Sequence, residues 1–273
     1  MAGSALKAMV SFFTVWQQDI TQEDMDAMER RFHLAPVAGA LLGVATLVVS
    51  AVLFLLSFEE GFGGDLFTAA AVLATVYAGS RFLHFDGLAD FGDGSVVAGT
   101  REDHVRALKD TLIGAGGLGV ALVVTLLNFS EYAMAGFLIV ALAPATEVLV
   151  KNAQVAAAAF GVPGHGMAGR QVSETTKRSL AASSVISLVL APVLAALGAV
   201  LVNAICGYGL CDIAALLLAV VVGLAGSCAA GFLMARRSNR VFGMVNGDIL
   251  GATNEISRAV VMFLMVLVYT LVV

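Results

Sequence analysis

The 273-residue chain is 59% apolar and only 13% charged, with a mean hydropathy of +0.93. Soluble globular domains carry about 25% charged residues, so this composition excludes one and defines a polytopic membrane protein. The net charge of −5 weighs little, because placement of charge outweighs its sum in a membrane protein. No basic run with interleaved aromatics points to nucleic acid.

From the N-terminus, Leu6, Met9, Val10, Phe13 and Trp16 recur at helical spacing, which predicts an interfacial or re-entrant helix. The apolar run is too short, and lacks a small-residue cleavage site, for a signal peptide. TQEDMDAMERRF follows, with Thr21 as cap, acids in its first turn and Arg30 and Arg31 at its end; this is a short polar helix outside the hydrocarbon. Apolar spans are then expected over 34–56, 66–83, 112–127, 132–150, 180–202, 213–235 and 259–273. Between the second and third, REDHVRALKD forms an amphipathic surface helix that carries Lys109 and Asp110 back toward the end of the second span. The expected fold is therefore all-α: one integral-membrane domain over 1–273, with interfacial helices in 1–33 and a bundle of about seven transmembrane spans in 34–273.

Charge placement supports this count. All 15 Lys and Arg residues fall in the N-terminal segment or in 81–109, 151–178 and 236–258, whereas the turns at 57–65, 128–132 and 203–212 carry only acids. Seven spans put every basic segment on one side, which the positive-inside rule makes cytoplasmic. The cell membrane is the expected location. The sequence leaves self-association into a homo-oligomer open.

The stretch from Arg81 to Gly94, RFLHFDGLADFGDG, holds the densest chemistry. On a helix, Asp86, Asp90 and Asp93, at offsets 0, 4 and 7, fall within an arc of roughly 60°. Three like charges on one stripe repel unless a cation lies between them, and clustered carboxylates suit a hard ion such as Mg²⁺, with Mn²⁺ as the alternative. His84 is a base or an interfacial hydrogen-bonding group. Asp248 and Glu255, seven apart, share a face if their segment is helical, and with Asn246 form a polar stripe toward the site. Glu147 pairs at i, i+4 with Lys151. Cys206, Cys211 and Cys228 form no metal-like pattern.

The run HFDGLADFGDG, followed by KDTLIGAGGLGV, closely resembles the signature of the cobalamin-5′-phosphate synthase family. SFFTVW with APVAGALLG resembles its opening pattern, and GMVNGDILGATNEIS its closing glycine-aspartate segment. Where many members carry arginines after the fourth span and in the next loop, this chain has Lys151, Asn152 and GVPGHGMAG.

The resemblance implies a divalent cation and the last assembly step of the cobamide lower ligand. Adenosylcobinamide-GDP would be attacked by a hydroxyl of α-ribazole or its 5′-phosphate, releasing GMP. Asp86, Asp90 and Asp93 would hold the metal, and Asp110 would complete its shell or take the hydroxyl proton, with His84 as the competing base. Lys109 would offset charge on the leaving GMP. Asp248, Asn246, Glu255, Lys151 and Asn152 would meet or order the substrate. Two rivals are a phosphotransferase acting on CDP-activated alcohols and a cation-coupled carrier. The first needs an arginine where Asp90 stands, and the second needs carboxylates near mid-membrane.

Overall fold

The computed structural model describes residues 2–273, and every regular element among them is helical. The order is α1 (Ala2–Phe13), α2 (Gln22–Arg30), α3 (Ala35–Glu60), α4 (Asp65–Gly79), α5 (Leu83–Val96), α6 (Arg101–Leu108), α7 (Ala115–Met134), α8 (Ile139–Phe160), α9 (Gly166–Glu174), α10 (Lys177–Cys206), α11 (Ile213–Val241) and α12 (Gly247–Val272). Six of them, α3, α7, α8, α10, α11 and α12, are long and apolar enough to cross a bilayer, and α4 with α5 raises the number to seven as a bent pair. The chain is a multi-pass membrane protein.

The α8 helix is the axis of the bundle. All its residues from Ile139 to Ala158 are buried, surrounded by α3, α10, α11 and α12. Helices in a bilayer associate through close packing rather than through a hydrophobic difference from lipid. At Gly43 of α3, for instance, a Cβ would lie 2.6 Å from the Pro144 carbonyl oxygen, so only glycine permits this approach. Outward faces of the same helices expose Val44, Val48 and Val52 on α3 and Val185, Val189 and Val193 on α10, as lipid contact requires.

The expected second span is broken. Between α4 and α5 the chain turns through 91°, with Arg81 and Phe82 both in the left-handed region at φ 55° and 57°. That conformation is uncommon for side chains of this size and is held from outside. Arg81 Nη2 donates to the Ser11 and Phe12 carbonyls at 3.2 and 3.0 Å, and Val15 N donates to Gly79 O at 2.8 Å. The end of α1 thus clamps the bend. Beyond the bend α5 leaves the line of α4 and packs against α12 and α7. The α2 helix starts where Thr21 predicts, and α6 starts after Thr100, each in a reciprocal capping box with Asp24 or Asp103.

Two other boundaries move. The α8 helix continues to Phe160 and α12 begins at Gly247, so Lys151, Glu255 and Arg258 lie inside helices and are fully buried, Lys151 and Arg258 instead of in the segments between spans. They are kept there by one another. Arg258 pairs closely with Glu147 and lies 3.3 Å from Glu255 Oε1, so the expected Glu147–Lys151 pair is replaced by one between α8 and α12. The Arg258 Nη1 group also donates to the Tyr132 hydroxyl at 3.3 Å. Asn254 donates to Glu255 Oε1 at 3.0 Å and accepts from Lys151 Nζ at 3.0 Å. Two carboxylates, one guanidinium and one ammonium sum to zero charge, which is what makes their burial tolerable.

Removing one member leaves an uncompensated buried charge. Arg258→Met is expected to destabilise the protein by about 3–5 kcal/mol, measured as a drop in thermal midpoint in detergent. Adding Glu147→Gln restores neutrality and is expected to recover part of that loss.

Candidate active site

The face-on crossing of α5 and α12 builds the site. At Gly87 a Cβ would lie 2.8 Å from Asp248 O and 2.9 Å from its Cα, and at Gly251 one would lie 3.3 Å from the His84 backbone. With glycine on both helices, the backbones approach closely enough to set Asp86 and Asp90 beside Asp248. Asn246 caps α12, accepting from Ile249 N at 3.1 Å, and its Nδ2 donates to Asp248 Oδ2 at 2.7 Å, which orients that carboxylate.

Electrostatically the site is acidic. Asp86 is exposed and Asp90, Asp93 and Asp248 are half-buried. Burial, reinforced by the carboxylates of Asp248, Asp86 and Asp93, pushes Asp90 up to about 6. The Lys109 ammonium lies close enough to Asp248 to offset part of its charge. Among the described residues, no three His, Cys, Asp or Glu side chains converge as a metal-binding group. The donors are nevertheless of the right chemistry for a hard divalent ion: carboxylates from two helices, crowded without an ion-pair partner.

The three acids of α5 do not act alike. Asp93 Oδ2 accepts from Gly114 N at 2.6 Å and Oδ1 from Gly117 N at 2.7 Å, so Asp93 caps the start of α7, where the helix dipole favours an anion. It also lines a cleft of about 260 Å³ with Asp110, whose Oδ1 accepts from Leu112 N at 3.0 Å. Lys109 instead lines a basic groove of about 300 Å³ with Arg101 and His165. Asp86 and Asp248 open onto a third space, a cavity of about 220 Å³ walled by the end of α1, α9 and the start of α12.

His84 lines that cavity and stacks on Phe13. Its Nε2 lies 2.8 Å from Lys151 Nζ, and burial followed by the charge on Lys151 lowers its pKa well below the usual imidazole value. The remaining expected substrate contacts stand behind the wall. Lys151 stands behind His84 and over the Phe13 ring at 4.6 Å, Glu255 is absorbed in the buried charge cluster, and Asn152 ties α8 to its neighbours by donating to Ser227 Oγ at 2.9 Å and accepting from Ser183 Oγ at 2.8 Å. The physical reason is the extra helical length of α8 and α12, which draws these residues inward. Missed from the sequence were Gln154 and Gln171 in the cavity wall. Gln154, a polar residue only two positions past Asn152 in an otherwise apolar run, was a readable signal; Gln171 was not.

Fold and site together define a membrane-embedded helical protein with a carboxylate centre placed between a basic groove and an aromatic cavity. The model of the family described as cobalamin-5-phosphate synthase matches residues 5–266, and the chain belongs to that family. Its relatives include proteins named adenosylcobinamide-GDP ribazoletransferase. The one from Methanocella arvoryzae is 34% identical over 270 residues, covering 94% of each chain. That of Methanococcoides burtonii is 28% identical over 97% of this chain and 93% of its own. That of Methanosarcina mazei is 30% identical over 93% and 88%. No solved structure matches.

The differing environments of Asp90 and Asp93 predict opposite stability effects. Asp90 ionises in the folded state only above its ordinary 3.8, near 6, so metal-free protein should lose stability as pH rises through that window. Asp90→Asn should flatten the step and raise the thermal midpoint at neutral pH. Asp93→Asn, which removes a charged acceptor from two backbone donors, should instead cost about 1 kcal/mol.

Proposed function

We propose that the chain is an adenosylcobinamide-GDP ribazoletransferase, which joins an adenosylcobinamide-phosphate unit to α-ribazole or α-ribazole 5′-phosphate in the final assembly of the cobamide lower ligand. The observation that carries this reading is the family match over residues 5–266, and relatives bearing that name align with nearly the whole chain. A phosphotransferase for CDP-activated alcohols and a cation-coupled carrier are both disfavoured by it.

In the proposed reaction a hydroxyl oxygen of the acceptor bonds to the phosphorus borne by the corrinoid. The P–O bond of the anhydride breaks, GMP leaves with the bridging oxygen, and the hydroxyl proton passes to a base on the protein. Asp86, Asp90 and Asp248 would hold Mg²⁺, or Mn²⁺ as the alternative, with Asp93 and Asp110 supporting from the neighbouring cleft. A divalent ion bound there supplies neutralisation of the diphosphate charge.

The chain's own residues position the rest. Lys109, beside Asp248 and within the basic groove, suits the departing GMP. Asn246 orients Asp248. Asp110 is the proposed acceptor of the hydroxyl proton; His84 is a weaker base because its Nε2 is already engaged by Lys151. We place the site at the cytoplasmic face of the cell membrane, a reading supported by the basic segments and their acidic counterparts in the opposite turns.

Purified protein in detergent or liposomes, given adenosylcobinamide-GDP, α-ribazole and Mg²⁺, is expected to release GMP in step with product and to stop on chelation. Asp90→Asn should lower turnover by more than about 100-fold, beyond the 10–100-fold loss typical of a supporting residue. Folded wild-type protein that releases no GMP with either Mg²⁺ or Mn²⁺ would contradict the assignment.

A further inference from the structure

The cavity beside Asp86 and Asp248 is walled by Phe12, Phe13 and Phe32 together with two glutamines, Gln154 from α8 and Gln171 from α9. Both glutamines are buried, at 1% and 4% exposure. Gln154 uses its Nε2 on the Leu250 carbonyl at 3.0 Å, but its Oε1 has no partner, and neither has Gln171 Nε2. More than about nine in ten buried polar groups in native proteins are satisfied, and one left bare is destabilising. One unpaired acceptor and one unpaired donor thus belong to two residues that line an aromatic-walled space bordering the carboxylates.

We propose that this cavity is the subsite for the acceptor nucleoside, seating its heteroaromatic base between the phenylalanines and reading its polar atoms with Gln154 and Gln171. This rests on the transferase reading. An unprotonated ring nitrogen of the base accepts from Gln171 Nε2, and a ribose hydroxyl donates to Gln154 Oε1. The phenylalanine rings supply the apolar contact that a flat ring favours. Because Asp86 and Asp248 border the same cavity, a nucleoside seated there keeps its ribose next to the carboxylate centre.

The donor half of the reaction fits elsewhere. A cavity of about 220 Å³ is too small for a corrinoid, and the cations suited to a diphosphate, Lys109 and Arg101, line the separate basic groove. The acceptor and the donor therefore approach the acidic centre from different sides, as an in-line displacement requires.

The test combines equilibrium binding of α-ribazole alone to detergent-solubilised protein with separate KM values for α-ribazole and adenosylcobinamide-GDP. Gln171→Met and Gln154→Met are each expected to weaken α-ribazole binding and raise its KM about tenfold, leaving the KM of the donor unchanged. Ala168→Phe fills the cavity from α9 without altering either glutamine, and should weaken α-ribazole binding in the same way even if a glutamine variant fails to fold. Unchanged α-ribazole affinity in folded Gln171→Met and Ala168→Phe, or a rise confined to the donor's KM, would overturn the inference. An active wild type with indifferent cavity variants removes this subsite alone. A wild type that binds α-ribazole through the cavity but releases no GMP removes the transferase reading instead.

Discussion

The pairing of Arg258 with Glu147 and Glu255 is the interaction on which the arrangement rests. It joins α8, the fully enclosed axis of the bundle, to α12, the helix whose first turn carries Asp248. Charges placed this deep persist only as a neutral, hydrogen-bonded set, and Lys151 with Asn254 completes it. Lys151 then extends the set to His84 in the cavity wall. The position of α12 relative to α8, the composition of the wall and the placement of Asp248 are thus parts of one electrostatic solution. Its conformational value lies in specificity: a shift of α12 by a turn would strand a guanidinium in apolar surroundings.

Against that fixed pair, α5 is laid by its backbone more than by its side chains. The left-handed residues Arg81 and Phe82 turn it out of line with α4, and the clamp from α1 keeps it there. Glycines at the crossing with α12 bring the acids of the two helices together. The start of α7 takes up Asp93, and the acids left crowded at the crossing are Asp86, Asp90 and Asp248, with Lys109 offsetting only part of the charge on Asp248. Crowding like charges costs stability in the resting protein, which is a common condition of sites that exist to bind a cation or a polyanion with one.

Much of this was legible beforehand. Hydropathy located the apolar spans, because lipid contact acts on composition directly. Thr21 marked the start of α2, since capping is a local chemistry. The acids of α5 stood out by spacing, and Asp248 by its place in a glycine-aspartate segment. The interior was less readable. Lys151 and Arg258 look like surface residues until their partners on distant helices are known, because a buried charge is made tolerable by a tertiary contact, and Glu255, read as part of a stripe toward the site, is instead held by Arg258. The bend was signalled only by Gly79 and Ser80 at the end of α4, and the left-handed residues themselves, Arg81 and Phe82, are bulky ones that a sequence does not mark for that conformation. Asp93 lay on the expected stripe, but its acceptor role depends on where α7 begins, and Gln171 gains meaning only from the cavity that α9 covers.

The central claim is that carboxylates from α5 and α12 form one cation site. Mn²⁺ binding to the purified protein in detergent, followed by electron paramagnetic resonance without substrates, tests it most directly. Saturable binding in the wild type that is lost in both Asp86→Asn on α5 and Asp248→Asn on α12 is the predicted result. Binding that survives Asp248→Asn unchanged would contradict a site shared between the two helices.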